Sequence, residues 1–376
     1  DKNPSITPQI SGNTNTQNGE ARNLVIADGA RVRLNAKPLQ AIGLSYADDI
    51  TKTNPKTIIS GGRYSIEESD ISDTKLIVDD KQNKILLNND KIIIRSAKLK
   101  VLVWCPANWA NYKSTTSVAA CGLRNRLNEL ETNGTAEVVS VIGDRTSAAA
   151  FNASAAYTYR GLSDYTRKTN YASGELRQFD LIYIVFPFGV EQDSDYESTM
   201  DELGNYLNYG GRIVLQGENV SPDYTPANSC ATVISHRLGG GFTLSSAAWL
   251  NGIYNASINS NSKLTANVTQ IKSCAASPIL VDSGVAYDSV FSSKGSNGVV
   301  YPWYIDQLAG TTTEKWGRLS IISDSNFWGN GKTGNSAPGG FINDNVGRTV
   351  LKNLLDDTYQ NRTLAAAGIN PNANVV

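Results

Sequence analysis

The sequence predicts an α/β protein: a doubly wound, mostly parallel sheet preceded by a small antiparallel β module. Three observations carry that prediction. From Lys98 onward, short apolar runs alternate with stretches of helical periodicity, the pattern of parallel βαβ units. Before Lys98 only short β-prone runs appear, divided by turn-formers. Near the end, the apolar run Leu319–Ile322 breaks abruptly into Ser323-Asp324-Ser325-Asn326, as a buried strand does when it reaches the polar rim of a sheet.

Residues 1–20 are rich in Asn, Thr, Pro, Ser and Gln and have almost nothing apolar to bury. Such an arm is disordered unless a partner holds it. Residues 21–96 carry Leu24-Val25-Ile26, Val32-Arg33-Leu34, Thr57-Ile58-Ile59, Leu76-Ile77-Val78, Ile85-Leu86-Leu87 and Ile92-Ile93-Ile94. Asp28-Gly29, Gly61-Gly62, Asp79-Asp80 and Asn88-Asn89-Asp90 separate them as turns.

The α/β domain is expected over 97–358. Leu99–Trp104 reads as a buried strand, and Ser117–Glu131 carries Leu123, Leu127 and Leu130 at helical spacing before Asn133-Gly134 stops it. Glu137–Ile142 and Phe179–Phe186 are further strands, the second the most apolar run in the chain. A helix over Tyr196–Leu207 ends at Gly210-Gly211 and leads into the strand Arg212–Gln216. Residues 218–300, rich in Ser, Asn, Ala and Gly, read as a long insertion with a helix near Cys230–Leu238 and β-prone pieces at Lys263–Lys272 and Ile279–Val281. Leu319–Ile322 then returns to the sheet, Val346–Asp356 forms a closing helix, and 359–376 reads as a tail.

Composition narrows the function classes. A formal charge of −1 on 376 residues gives no electrostatic case for nucleic acid or an anionic membrane, and no apolar run approaches a membrane span. The chain begins at Asp1 and holds a single methionine, Met200, as a processed export precursor would. Cys105, Cys121, Cys230 and Cys274 admit three disulfide pairings, of which the sequential one is the most natural. A Cys105–Cys121 bridge would close a loop of about 15 residues, worth roughly 3 kcal/mol. Disulfides place the chain outside the cytoplasm, in the periplasm, at the cell surface or secreted. The cysteine spacing fits no zinc site and His236 is the only histidine, so neither a metal nor a cofactor is expected.

The order of these elements resembles the class I glutamine amidotransferase-like superfamily, whose fold is flavodoxin-like, and in particular its ThuA-like branch. The likeness rests on Lys98–Trp104, on Phe179–Gly189 with its acidic helix, on the Tyr209-Gly210-Gly211-Arg212-Ile213-Val214 entry, and on Gly317–Asn330 with the helix that follows. Ala227–Asp282 is similar to the group's variable region, in which a short helix precedes a β-rich excursion. In glutaminase members the resemblance implies a cysteine nucleophile on the turn after Arg212–Gln216 and a His-Glu pair near the chain's end. This sequence has Gln216-Gly217-Glu218-Asn219 at that turn and no histidine after Leu319, so the base that would activate a nucleophile is missing.

Two carboxylates remain as candidates, Glu218 and Asp324, both expected at carboxyl ends of sheet strands. A pair of that kind serves acid–base chemistry when the two share a pocket, and otherwise caps helices and orders loops. Asn219, Ser325 and Asn326 would line the same rim, and Trp109 and Trp328 would offer aromatic faces to a sugar there. The expectation drawn from all this is a non-catalytic extracytoplasmic structural or assembly protein that self-associates or binds a cell-envelope partner. An enzyme acting on a sugar or related polar substrate through Glu218 and Asp324, or a carbohydrate-binding module, are the alternatives.

Overall fold

The computed structural model describes residues 24–26, 32–35, 42–46, 56–62, 64–67, 76–78, 83–88, 91–96, 98–106, 121–142, 176–192, 196–222, 224–246, 250–328, 344–366, 368 and 370–372. The expectations for the arm at 1–20 and for Trp109 lie outside these residues. The chain divides into two compact units, Asp1–Lys98 and Leu99–Val376.

The first unit holds seven described strands: β1 (Leu24–Ile26), β2 (Val32–Leu34), β3 (Ile42–Tyr46), β4 (Lys56–Gly61), β5 (Leu76–Val78), β6 (Asn83–Asn88) and β7 (Lys91–Ser96). They form one sheet in the order β1-β3-β5 and another in the order β2-β4-β7-β6. The expected antiparallel module is corrected here. β1, β3 and β5 run parallel, as do β2 and β4, and only β4–β7 and β6–β7 are antiparallel. Parallel neighbours cannot be joined by a tight hairpin. Between each parallel pair the chain contributes a strand to the other sheet, which supplies the crossover. Leu44 of β3 packs with Ile58 and Ile59 of β4 and Ile92 of β7, so the two sheets share one core.

The second unit is a mixed α/β structure built on an eight-stranded sheet. Its elements are β8 (Leu99–Cys105), α1 (Cys121–Thr132), β9 (Ala136–Ile142), β10 (Leu181–Val185), α2 (Tyr196–Asn208), β11 (Arg212–Gln216), α3 (Thr225–Arg237), β12 (Phe242–Leu244), β13 (Leu250–Asn255), β14 (Ser257–Ile258), β15 (Lys272–Ala276), β16 (Ile279–Val281), β17 (Asp288–Lys294), β18 (Val300–Ala309), β19 (Gly317–Ile322) and α4 (Asp344–Ala366). The sheet order is β14-β17-β18-β19-β11-β10-β8-β9. The five strands from β19 to β9 are mutually parallel, and β18, β17 and β14 continue the sheet antiparallel. Two small antiparallel ladders, β12–β16 and β13–β15, stand apart from it.

The two-residue period of the strands sorts their side chains into two cores. Val101, Val103, Tyr183, Val185, Val214 and Ile322 face one side, with Leu123 and Leu127 of α1 and Val350, Leu354 and Leu355 of α4. Leu102, Trp104, Ile182, Ile184, Ile213, Leu215 and Ile321 face the other, with Met200, Leu203 and Tyr206 of α2 and Cys230, Ala231 and Ile234 of α3. Both faces are therefore covered, which is why these strands are apolar throughout rather than alternating.

Four expectations for this unit are corrected. Residues 218–300 are not an excursion, because β14 and β17 extend the main sheet and β18 joins them to β19. The piece expected as strand over Lys263–Lys272 begins as a 3-10 turn, Lys263–Thr265, and strand starts only at Lys272. The helix near Cys230 starts at Thr225, with Pro226 in its first turn, where a missing N–H costs nothing. The closing helix runs on to Ala366, so 359–366 are helix rather than tail. Asn372 beyond it is buried and donates to the carbonyls of Lys315 and Trp316.

The Gly210-Gly211 stop closes α2 as read. Gly210 adopts φ +75°, its N–H donates to Leu207 O, and Gly211 N–H donates to Tyr206 O. This is the paired arrangement that satisfies the last carbonyls of a helix and turns the chain.

Candidate functional site

The carboxyl ends of β11 and β19 lie side by side, with Gln216 opposite Ile322 in register. The loops that leave these strands carry Glu218 and Ser323-Asp324-Ser325, so the structure brings the predicted rim together. Both candidate carboxylates are buried, Glu218 to 1% exposure and Asp324 to 0%.

Glu218 is turned inward and bonded. The Ser325 hydroxyl donates to its Oε2, the Ser325 amide donates to the same oxygen at 3.2 Å, and the Asn219 amide donates to Oε1 at 3.0 Å. No lysine, arginine or histidine bonds this carboxyl among the described residues. Burial without a counter-charge pushes its pKa up to about 7, against the lowering by the Ser325 and Asn219 donors. The carboxyl joins the exit of β11 to the exit of β19.

A second layer of bonds fixes the backbone beneath it. Asn228 of α3 accepts from Glu218 N–H at 3.0 Å and donates to the carbonyls of Glu218 and Asn219 at 2.9 and 3.1 Å. The Ser277 hydroxyl donates to Glu218 O at 2.7 Å, and the Ser323 hydroxyl donates to Ser277 O at 2.5 Å. Gly217 makes this approach feasible. A Cβ there would lie 2.5 Å from Leu244 Cδ1 and 2.7 Å from Asn228 Oδ1. The Asn219 side chain is occupied in a local turn, accepting from Ser221 N–H at 2.8 Å.

Trp328 ends the 3-10 turn Ser325–Trp328 and is buried to 0%. Its indole N–H donates to Tyr183 OH at 2.9 Å and to Gln216 Oε1 at 3.3 Å, while Tyr183 OH donates to Gln216 Oε1 at 2.5 Å. The reading of Trp328 as a sugar-stacking face is thereby corrected: the ring is enclosed in the core under the rim. Asn326 belongs to the same turn, and its side chain lies outside the described residues.

Among the described residues, strained non-glycine backbone lies close to this rim at Ala275 (φ +58°), two residues before Ser277, and again one strand over. Phe186, immediately after β10, has φ +46°, a left-handed conformation that costs a bulky residue about 1–3 kcal/mol. Its N–H donates to Gln216 O at 3.0 Å, its carbonyl accepts from Phe188 N–H at 2.7 Å, and its ring lies 5.7 Å from that of Tyr224. Phe186, Asn228 and Ser277 were not singled out by sequence reasoning. A lone Asn or Ser that bonds backbone leaves no periodic trace, and positive φ at Phe has no compositional signal.

The cysteines and the histidine lie elsewhere. Cys230 is a free thiol buried in α3 beside Glu191, with its pKa raised by burial. A Cys230–Cys274 bridge is corrected on this ground. Cys230 belongs to one core, whereas Ile271 and Ala276, which flank Cys274, belong to the core on the opposite face of the sheet. Cys105 is buried at the end of β8, and the side chain of Cys121 lies outside the described residues. His236 is exposed, with Nε2 2.9 Å from Asp282 Oδ2, and stands eight residues along α3 from Asn228, about 12 Å. No group of three metal-ligating side chains gathers among the described residues. No helix there is long and apolar enough to cross a membrane.

No family model matches the chain, and no curated protein does. Among solved structures it is similar to the mmIFT52 N-terminal domain, at 10% identity and a TM-score of 0.39, over 69% of this chain and 97% of that one. It is also similar to the cytoplasmic protein STM3548 of Salmonella typhimurium, at 14% identity and a TM-score of 0.37, over 69% of this chain and 98% of that one. A β-galactosidase from Rahnella sp. R3 gives 10% identity and a TM-score of 0.32, over 62% of this chain and 30% of that one.

Proposed function

We propose that the chain is a non-catalytic structural or assembly protein acting outside the cytoplasm, built on a degenerate, amidotransferase-like domain of flavodoxin-like, doubly wound form. The fold part of this reading draws on the order of the five parallel strands, β9-β8-β10-β11-β19. Numbered along the chain that order is 2-1-3-4-5, with helices supplied to both faces. The observation that carries the functional part is the state of Glu218: buried to 1%, it accepts from its own loop through Oε1 and from Ser325 on the β19 exit through Oε2, which holds two strand exits together. Phe186 adds to it. The strained turn at the sheet's carboxyl edge presents a buried phenylalanine, a side chain with no nucleophile. The Asn/Ser/Thr-rich composition supports an extracytoplasmic place, and the Cys230–Cys274 bridge no longer contributes to it.

An assembly protein of this kind self-associates or takes a fixed cell-envelope partner. Sedimentation equilibrium of the full chain over a concentration series tests self-association, with a concentration-dependent mass expected. A single monomer mass at every concentration, with no complex on mixing with envelope extract, would sink the reading. The enzyme alternative has one observation in its favour, the titration of Glu218 near neutrality, where a general acid or base is useful. It requires turnover of a sugar or similar polar substrate that is lost in Glu218→Gln.

A further inference from the structure

Glu218 is a carboxyl in an unusual position, with three neutral donors, near-complete burial and no bonded cation among the described residues. Structural buried carboxylates ordinarily have a counter-charge, as Asp306 has here in Arg212 and Arg318. Among the described residues, the ionisable groups close to Glu218 on the surrounding elements do not supply one. Asp324 precedes Ser325 on the β19 exit, Tyr183 lies on β10, and Tyr224 stands at the start of α3. All three are neutral or negative.

We propose that Glu218 is a proton-operated clamp between the exits of β11 and β19, closed when the carboxyl is protonated and loosened when it ionises. The inference rests on the structural reading of Glu218 given above and adds regulation to it. The Ser325 hydroxyl suits a clamp with two states, since it can accept from the carboxylic acid O–H or donate to the carboxylate. Proton transfer therefore needs no rearrangement of the pair itself. What changes is the charge. Among the described residues a carboxylate at this depth has dipoles alone to stabilise it, and the available relief is water, which reaches it when the Ser325–Trp328 turn moves away from β11. That turn also carries Trp328, whose indole ties it to Tyr183 and Gln216, so loosening at Ser325 propagates to the carboxyl ends of β10 and β11. The raised pKa of Glu218 places the change near neutrality.

Hydrogen exchange of the full chain, read by mass spectrometry at pH 5.5 and 8.5 and corrected for intrinsic rates, tests the clamp. Peptides covering 217–222 and 323–328 are expected to lose protection about tenfold or more at the higher pH, while β8 keeps its own. In Glu218→Gln, which cannot ionise, the same peptides are expected to show no pH dependence beyond the intrinsic one. Unchanged protection in the wild type, or an equal pH response in Glu218→Gln, overturns the proposal. Should that variant not fold, an infrared titration of the wild type decides. One carboxylic acid band vanishing between these pH values in step with the exchange supports the clamp, and no such band overturns it. Neither readout depends on self-association, so the clamp and the assembly role can fail separately.

Discussion

Asp306 on β18 lies between Arg212, at 2.7 Å, and Arg318, at 2.5 Å, and accepts from the Ser320 hydroxyl at 2.5 Å, whereas the donors to Glu218 among the described residues are neutral. Burial drives both acids upward. At Asp306 the two guanidinium charges outweigh it and hold the carboxyl below the ordinary aspartate range. The two acids therefore tilt stability in opposite directions. Asp306 stabilises the fold above the ordinary carboxylate range, and this is lost as pH falls through its lowered pKa. Glu218 favours the fold most below its ordinary value of 4.5, and this is lost as pH rises through about 7. Urea denaturation should accordingly show greatest stability in mildly acidic buffer, between about pH 4.5 and 6.5. Asp306→Asn should lower stability by about 3–5 kcal/mol at pH 6, because it removes the buried charge that Arg212 and Arg318 share and leaves Asp357 alone to offset Arg212. A loss under about 1 kcal/mol would show that solvent reaches the network.

At the scale of elements, the α2 stop makes a sharp forecast. Gly210 holds φ +75°, and a Cβ on it would collide with the Cβ of Ala365 on α4. Gly210→Ala should cost about 1–3 kcal/mol in chemical denaturation, and Gly134→Ala, with the same φ and open space, clearly less. Equal losses would refute the contact with α4 as the cause. The parallel strands were legible because burial on both faces writes them as continuous apolar runs, as in Leu181–Val185. β18 was not legible. Pro302 argues against a central strand, but it pairs only with Ser292 of β17, in an overhang before β19 joins at Tyr304. Asp306 and Gln307 further disguise β18 as surface, although both are buried. At the rim, Glu218 and Ser325 were legible as strand ends but not as a bonded pair, since 107 residues separate them and no local pattern links them. The parallel strands of the first unit were misread because adjacent short runs suggest hairpins, and crossover through a second sheet leaves the same local signature.

For the whole molecule, the change of character at Lys98 in the sequence coincides with the division into two units, and each has its own core. A fragment comprising 99–376 should therefore unfold in one cooperative transition with native-like far-ultraviolet dichroism, and a broad, non-cooperative melt would show that the first unit is required for folding. The Arg212 network gives this second unit a distinctive history during synthesis. Arg212 lies on the fourth parallel strand along the chain, its partner Asp306 comes 94 residues later, and Asp357 on the last helix comes 145 residues later. At translation rates of about 5–20 residues per second, Asp357 leaves the ribosome roughly 7–30 s after Arg212. Until then the guanidinium cannot be sealed into the sheet with all its partners in place. The first unit can close while the chain is still growing, but the second must wait for its final helix, and its exposed apolar strands are the natural clients of a chaperone during that interval.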